Sequence, residues 1–146
     1  MRRKTLDVTL FTAVLLALGI LAGCARKTTP MDSAMLEVRP TVVGAVVCLD
    51  IQEREPVEPA HSFPADVGTV WCWSKIKDGQ GTTIKHVYYY ENVEKGAVEL
   101  TVGSPLWRTY SSKQVPSNWT GQWRVDIVDA YGNVLKSLDF VIGEDT

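Results

Sequence analysis

Residues 68–90 read GTVWCWSKIKDGQGTTIKHVYYY, and this stretch decides the fold. Two runs rich in β-branched and aromatic residues, Gly68–Ile76 and Thr82–Tyr90, flank Asp78-Gly79-Gln80-Gly81. Residues of those types favour pleated, half-buried surfaces, and a Gly-rich tetrad between two such runs is a turn. The stretch therefore predicts strand, turn, strand. Alternation puts Trp71 and Trp73 on one face of the first strand and Val70 and Cys72 on the other. In the second, His86, Tyr88 and Tyr90 share a face opposite Val87 and Tyr89.

The same grammar extends in both directions. Thr41–Ile51 predicts a strand, broken by Gln52-Glu53-Arg54-Glu55-Pro56. Ala97–Val102, Trp107–Lys113, Gln122–Val128 and Val134–Ile142 predict four more. Turns are expected at Asn92–Gly96, Gly103-Ser104-Pro105, Pro116–Gly121 and Tyr131-Gly132-Asn133. Short strands with turns every 8–12 residues or so, and no amphipathic helix after residue 41, predict one all-β domain over 41–142. It should be a single antiparallel Ig-like β-sandwich of about seven strands, with a small barrel as the alternative. Residues 143–146 read as a tail.

Upstream the chain changes character. Arg2, Arg3 and Lys4 form a cationic start, and Val8–Ala22 is an uncharged apolar run. About 15 residues is short for a membrane span, which needs roughly 20. The run ends in Leu21-Ala22-Gly23-Cys24, which resembles the lipobox of bacterial lipoproteins. Residues 1–23 are thus expected to be a cleaved lipoprotein signal peptide, with Cys24 lipidated. Several acyl chains, at about 0.8 kcal/mol per buried CH₂, hold a protein firmly on a membrane. Residues 24–40, polar and interrupted by Pro30 and Pro40, read as the lipidated N-terminus and tether. Ala25 rather than Asp after the lipid site favours the outer membrane, facing the periplasm, as the expected location.

Cleavage would also remove Arg2, Arg3, Lys4 and Asp7 and shift the formal charge from −2 to −4. Neither value supplies the basic stripe of a nucleic-acid binder. Export leaves Cys48 and Cys72 in an oxidising compartment, where a disulfide closing a loop of about 25 residues is expected to add roughly 3 kcal/mol. Two free thiols on neighbouring strands are the alternative.

Several blocks together carry a resemblance: Arg54-Glu55-Pro56-Val57, Phe63-Pro64-Ala65-Asp66, Trp71-Cys72-Trp73-Ser74 and Ile84–Tyr89. Trp107-Arg108-Thr109-Tyr110-Ser111-Ser112-Lys113, Trp119-Thr120-Gly121-Gln122-Trp123-Arg124-Val125 and Asp129–Leu135 complete it. Residues 43–142 resemble the bacterial envelope family catalogued as domain of unknown function 2914. The resemblance implies a fold and a location, and no activity.

Site chemistry is sparse. His61 and His86 lack HxH or HExxH spacing, so no metal or other cofactor is expected. Ser111-Ser112-Lys113 lacks the order of Ser-x-x-Lys, and neither a nucleophile elbow nor a phosphate loop is present. A hydrolase with an unrecognised site is the least favoured reading. The expected function is a non-catalytic interaction module with an envelope protein partner, using an aromatic and basic patch around Trp107, Arg108 and Tyr110. Arg108 with Lys113 is a candidate anion pair. The second reading is a carbohydrate- or peptidoglycan-binding module, in which Trp71, Trp73, Tyr88 and Tyr90 would form one exposed aromatic platform, with His86 on the Tyr88 face.

Overall fold

The computed structural model describes residues 39–143, all within the unit Leu36–Thr146. The expected signal peptide, Cys24, all of the tether but its last two residues, and all of the tail but Gly143 lie outside the described residues.

Among the described residues nine strands form: β1 (Thr41–Gln52), β2 (Glu55–Pro59), β3 (Ser62–Phe63), β4 (Thr69–Lys77), β5 (Thr83–Tyr90), β6 (Val93–Thr101), β7 (Leu106–Gln114), β8 (Gly121–Val128) and β9 (Val134–Ile142). One sheet has the order β2-β1-β4-β7 and the other β3-β9-β8-β5-β6. Without the short β2 and β3, three strands face four in the Ig-like order, and the sandwich expectation is met. All pairings are antiparallel except the two-residue β3–β9 contact.

The seven expected strands are present, and two additions have physical causes. Glu53 and Arg54 both take positive φ, 49° and 65°, which closes a two-residue hairpin where a break was expected. Pro56 and Pro59 then sit in β2, an edge strand, where a missing N–H is tolerated. The β5–β6 turn falls at Glu91-Asn92, with φ of 47° and 63°, rather than over 92–96. Gly96, at φ 153°, lies inside β6 where the register with β5 shifts between Tyr88 and Tyr89, so it makes a bulge and not a turn.

The inner faces follow the alternation. Val70, Cys72, Ser74 and Ile76 of β4 point inward against Ile84, His86 and Tyr88 of β5 and Val125 and Ile127 of β8. The core divides into two apolar clusters. Ile76, Ile84, Val102 and Ile127 make one, at the end where Thr41 begins β1. Val47, Phe63, Val70, Cys72, Tyr88, Trp123, Val125, Phe140 and Ile142 are members of the other, at the Ile142 end. Between them lies a polar layer formed by Ser74, His86 and Ser111.

Cys48 and Cys72 are both free and fully buried, which corrects the expected disulfide. The register explains it. Cys48 stands opposite Trp71 and Cys72 opposite Val47, one residue out of step. Their Cβ atoms therefore leave opposite faces of the sheet, and no bridge geometry is available. The Cys48 thiol donates instead to the Asp50 carbonyl at 3.3 Å. Burial pushes both thiols above their ordinary pKa, so neither is a reactive thiolate.

Candidate functional site

The β1–β2 hairpin positions the first cluster of candidate residues. Its turn reaches across the outer face of the four-stranded sheet. Trp73 Nε1 donates to the Arg54 carbonyl at 2.9 Å, and Arg54 Nη2 donates to the Arg108 carbonyl at 2.8 Å. The Arg54 guanidinium lies 4.5 Å over the Trp107 ring, and Glu55 pairs with Arg108 Nε at 2.9 Å. Trp73 is thereby covered, at 8% exposure. Trp71 and Tyr110, on the same outer face, meet edge to face at 6.0 Å.

Arg54, Lys75, Ser104, Leu106, Trp107 and Arg108 line a cleft of 180 Å³. A second cleft, of 380 Å³, runs beside the free edge of β7 and takes in Arg54, Trp107, Arg108 and Tyr110 with Glu99–Thr101 of β6. Three cations thus converge with two carboxylates, Glu55 paired to Arg108 and Glu99 paired to Lys85. The exposed Arg108–Glu55 pair contributes about 0–1 kcal/mol to stability, which leaves its role in charge display rather than folding.

Other candidates are not brought here. Tyr88 is 1% exposed and faces the core, and Tyr90 lies at the Ile142 end of the other sheet. The four-ring platform is therefore not assembled: Trp71 and Trp73 lie on the outer face of one sheet, and Tyr88 and Tyr90 on the inner side of the other. Tyr90 stacks on Trp119 at 5.3 Å with an interplanar angle of 11°, and Lys95 lies 4.6 Å over that same Trp119 ring. Lys113 does not join Arg108 either. Five residues apart, they point to opposite faces of β7, and Lys113 Nζ donates to the Lys95 carbonyl at 2.6 Å.

The sequence reading missed the polar layer as a unit. Its members stand on three strands, and only the register aligns them. Ser74 Oγ lies 3.0 Å from His86 Nε2, and His86 Nδ1 lies 2.7 Å from Ser111 Oγ. The Tyr88 hydroxyl lies 2.7 Å from Ser111 Oγ and 3.1 Å from the Ser111 carbonyl. One proton order gives every donor an acceptor. Ser74 donates to Nε2, Nδ1–H to Ser111 Oγ, Ser111 to the Tyr88 oxygen, and Tyr88 to the Ser111 carbonyl. That order requires a neutral imidazole. Burial agrees, lowering the His86 pKa to about 4 and raising that of Tyr88. The layer has a serine–histidine contact but no access, since His86 and Ser74 are both 0% exposed.

On the far side of the sandwich a mostly apolar cleft of 290 Å³ is lined by Ala45, Val46, Val47, Pro59, Ala60, His61, Leu138 and Asp139. Among the described residues, no group of three or more His, Cys, Asp and Glu is placed to hold a metal ion.

Residues 81–142 match the family model described as a protein of unknown function, DUF2914. The match runs from the β4–β5 turn to the end of β9, so the resemblance read from the sequence holds over that part of the sandwich. No curated protein matches the chain.

Proposed function

We propose that this chain is a lipid-anchored protein of the bacterial cell envelope that works as a non-catalytic adaptor. Its partner surface is the β7 edge with the outer face beside it. The observation that carries the reading is the convergence of Arg54, Lys75 and Arg108 with Trp107 and Tyr110 around two adjoining clefts. Arginine and aromatic side chains are the residue types that anchor protein interfaces. The excess of cations favours an acidic segment on the partner.

The inaccessible serine–histidine layer supports the non-catalytic side of the reading, because a nucleophile and base need a path for substrate. The lipid anchor rests on the Leu21–Cys24 motif, and the outer membrane on Ala25. The glycan reading lacks the four-ring platform it called for.

The test is photo-crosslinking in intact cells from a benzoylphenylalanine at position 110, with and without Arg108→Glu. A reproducible envelope-protein adduct that the charge reversal abolishes is expected. Absence of any reproducible adduct, or retention on peptidoglycan that Arg108→Glu leaves unchanged, would overturn the adaptor.

A further inference from the structure

We propose that the Thr41 end of the sandwich rests on the bilayer surface. The inference builds on the lipid-anchor reading above and adds an orientation to it. The described chain enters at Arg39-Pro40 and starts β1 at Thr41, which pairs with Lys77 at the last residue of β4. The β4–β5 and β6–β7 connections gather at this same end, as the hydrogen bonds of Asp78 N to the Pro105 carbonyl and Gly81 N to the Val102 carbonyl show, and the β8–β9 connection joins them because Val128 pairs with Lys85 near the start of β5.

The exposed apolar residues are distributed unevenly. Leu106 at 54%, Tyr131 at 73% and Val134 at 55% sit at strand starts or in a turn of the Thr41 end, and Val43 at 50% lies two residues into β1. Among the described residues, only Val93 is so placed at the opposite end, and Tyr110 is mid-strand. The turn that carries Tyr131 is pinned through its backbone. The Asp129 carboxylate accepts from the Tyr131 and Asn133 amides at 2.9 and 2.8 Å and from Asn133 Nδ2 at 2.9 Å. A tyrosine presented there, with an apolar body and a polar tip, suits the headgroup boundary.

Reach completes the argument. About 17 residues, Cys24 to Pro40, separate the lipid site from β1, a length of chain that reaches at most about 60 Å. A nine-residue strand is about 30 Å long. Presenting the Ile142 end would require the tether to run past the whole sandwich. Presenting the Thr41 end requires nothing, and the short tether keeps that end at high effective concentration near the lipid.

The experiment uses the full lipidated chain in vesicles of phosphatidylethanolamine and phosphatidylglycerol. Tyr131→Cys and, separately, Val93→Cys are labelled with an environment-sensitive maleimide. Cys48 and Cys72 are fully buried and take no label in the folded protein. Both new positions are exposed, so neither substitution touches the core. Quenching by spin-labelled lipid is expected to be several-fold stronger at position 131 than at 93. Mass spectrometry of the same sample reads acylation at Cys24. An acylated protein with equal quenching at both positions overturns the orientation alone. An unacylated protein overturns the anchor and the orientation with it.

Discussion

Acidification from pH 7 to pH 4 should destabilise the sandwich through one side chain, His86. Its folded pKa is lowered by burial from 6.5 to about 4. The folded state therefore binds fewer protons than the unfolded chain between those values. The stabilising contribution is fully present above pH 6.5, falls as pH drops towards 4, and is gone below it. A depression of about 2.5 units at 1.36 kcal/mol each amounts to roughly 3 kcal/mol, a large share of a total that is typically 5–15 kcal/mol. Burial is the cause of the shift, and the proton order of the polar layer acts in the same sense. A proton on Nε2 turns that atom into a donor, and the Ser74 hydroxyl loses its acceptor while buried. The assay is urea unfolding followed by tryptophan fluorescence from pH 7.5 to 3.5, for the protein and for His86→Asn. Carboxylates titrate in both, so the difference between the two curves isolates the histidine. The wild-type advantage should shrink by about 3 kcal/mol across the interval. A difference independent of pH, or an NMR titration midpoint of His86 near 6.5, would refute the reasoning.

Three further outcomes follow from individual contacts. Trp73→Phe removes the bond from Nε1 to the Arg54 carbonyl and should cost about 1 kcal/mol, with faster amide exchange concentrated over residues 53–57; uniform exchange over the domain would contradict a locally held hairpin. Gly96→Ala places a Cβ on a backbone at φ 153° and 3.4 Å from Lys113 Nζ, so a loss of about 1–3 kcal/mol is expected, read as a lower Tm; an unchanged Tm would remove the bulge as its cause. Cys48 and Cys72 should resist alkylation in the folded protein and both react after unfolding without reductant, counted by mass spectrometry; modification that requires reductant would restore the bridge.

The fold was legible where alternation and turn chemistry agree. Thr69–Lys77 and Thr83–Tyr90 carry both signals, and each strand lies within a residue of its expected bounds. It was illegible where ordinary residues adopt turn conformations usually left to glycine or asparagine. Glu53-Arg54 has no composition that announces positive φ, so the β1–β2 hairpin read as a break. Gly96 misled in the opposite sense, since one glycine signals a turn and a bulge equally well. Faces within a strand were assigned correctly, whereas partners across strands were not. Trp71 and Tyr88 share the expected exposure of large rings in a sequence, but the choice of inner face for β4 and β5 separates them. The disulfide failed on the same ground, because a one-residue offset in register exchanges the faces of two neighbouring cysteines.

The block Trp107–Lys113 explains why the core and the candidate surface can be tested separately. Alternation assigns Trp107, Thr109, Ser111 and Lys113 to the inner side, where Ser111 completes the His86 layer. It assigns Arg108, Tyr110 and Ser112 to the outer side. Substitutions at 108 and 110 therefore change charge and aromatic surface while the bonds to His86 and Tyr88 persist. Substitution at 111 does the reverse. Ser111→Ala leaves His86 Nδ1–H without an acceptor, a loss of about 1–3 kcal/mol, while the Tyr88 hydroxyl keeps its bond to the backbone carbonyl of residue 111. The two classes should dissociate in one experiment. Arg108→Glu should abolish crosslinking from position 110 with unchanged urea unfolding, and Ser111→Ala should lower stability while the folded fraction still crosslinks. If Arg108→Glu instead unfolds the domain, the arginine belongs to the structure rather than to a partner surface, and the adaptor loses its central residue.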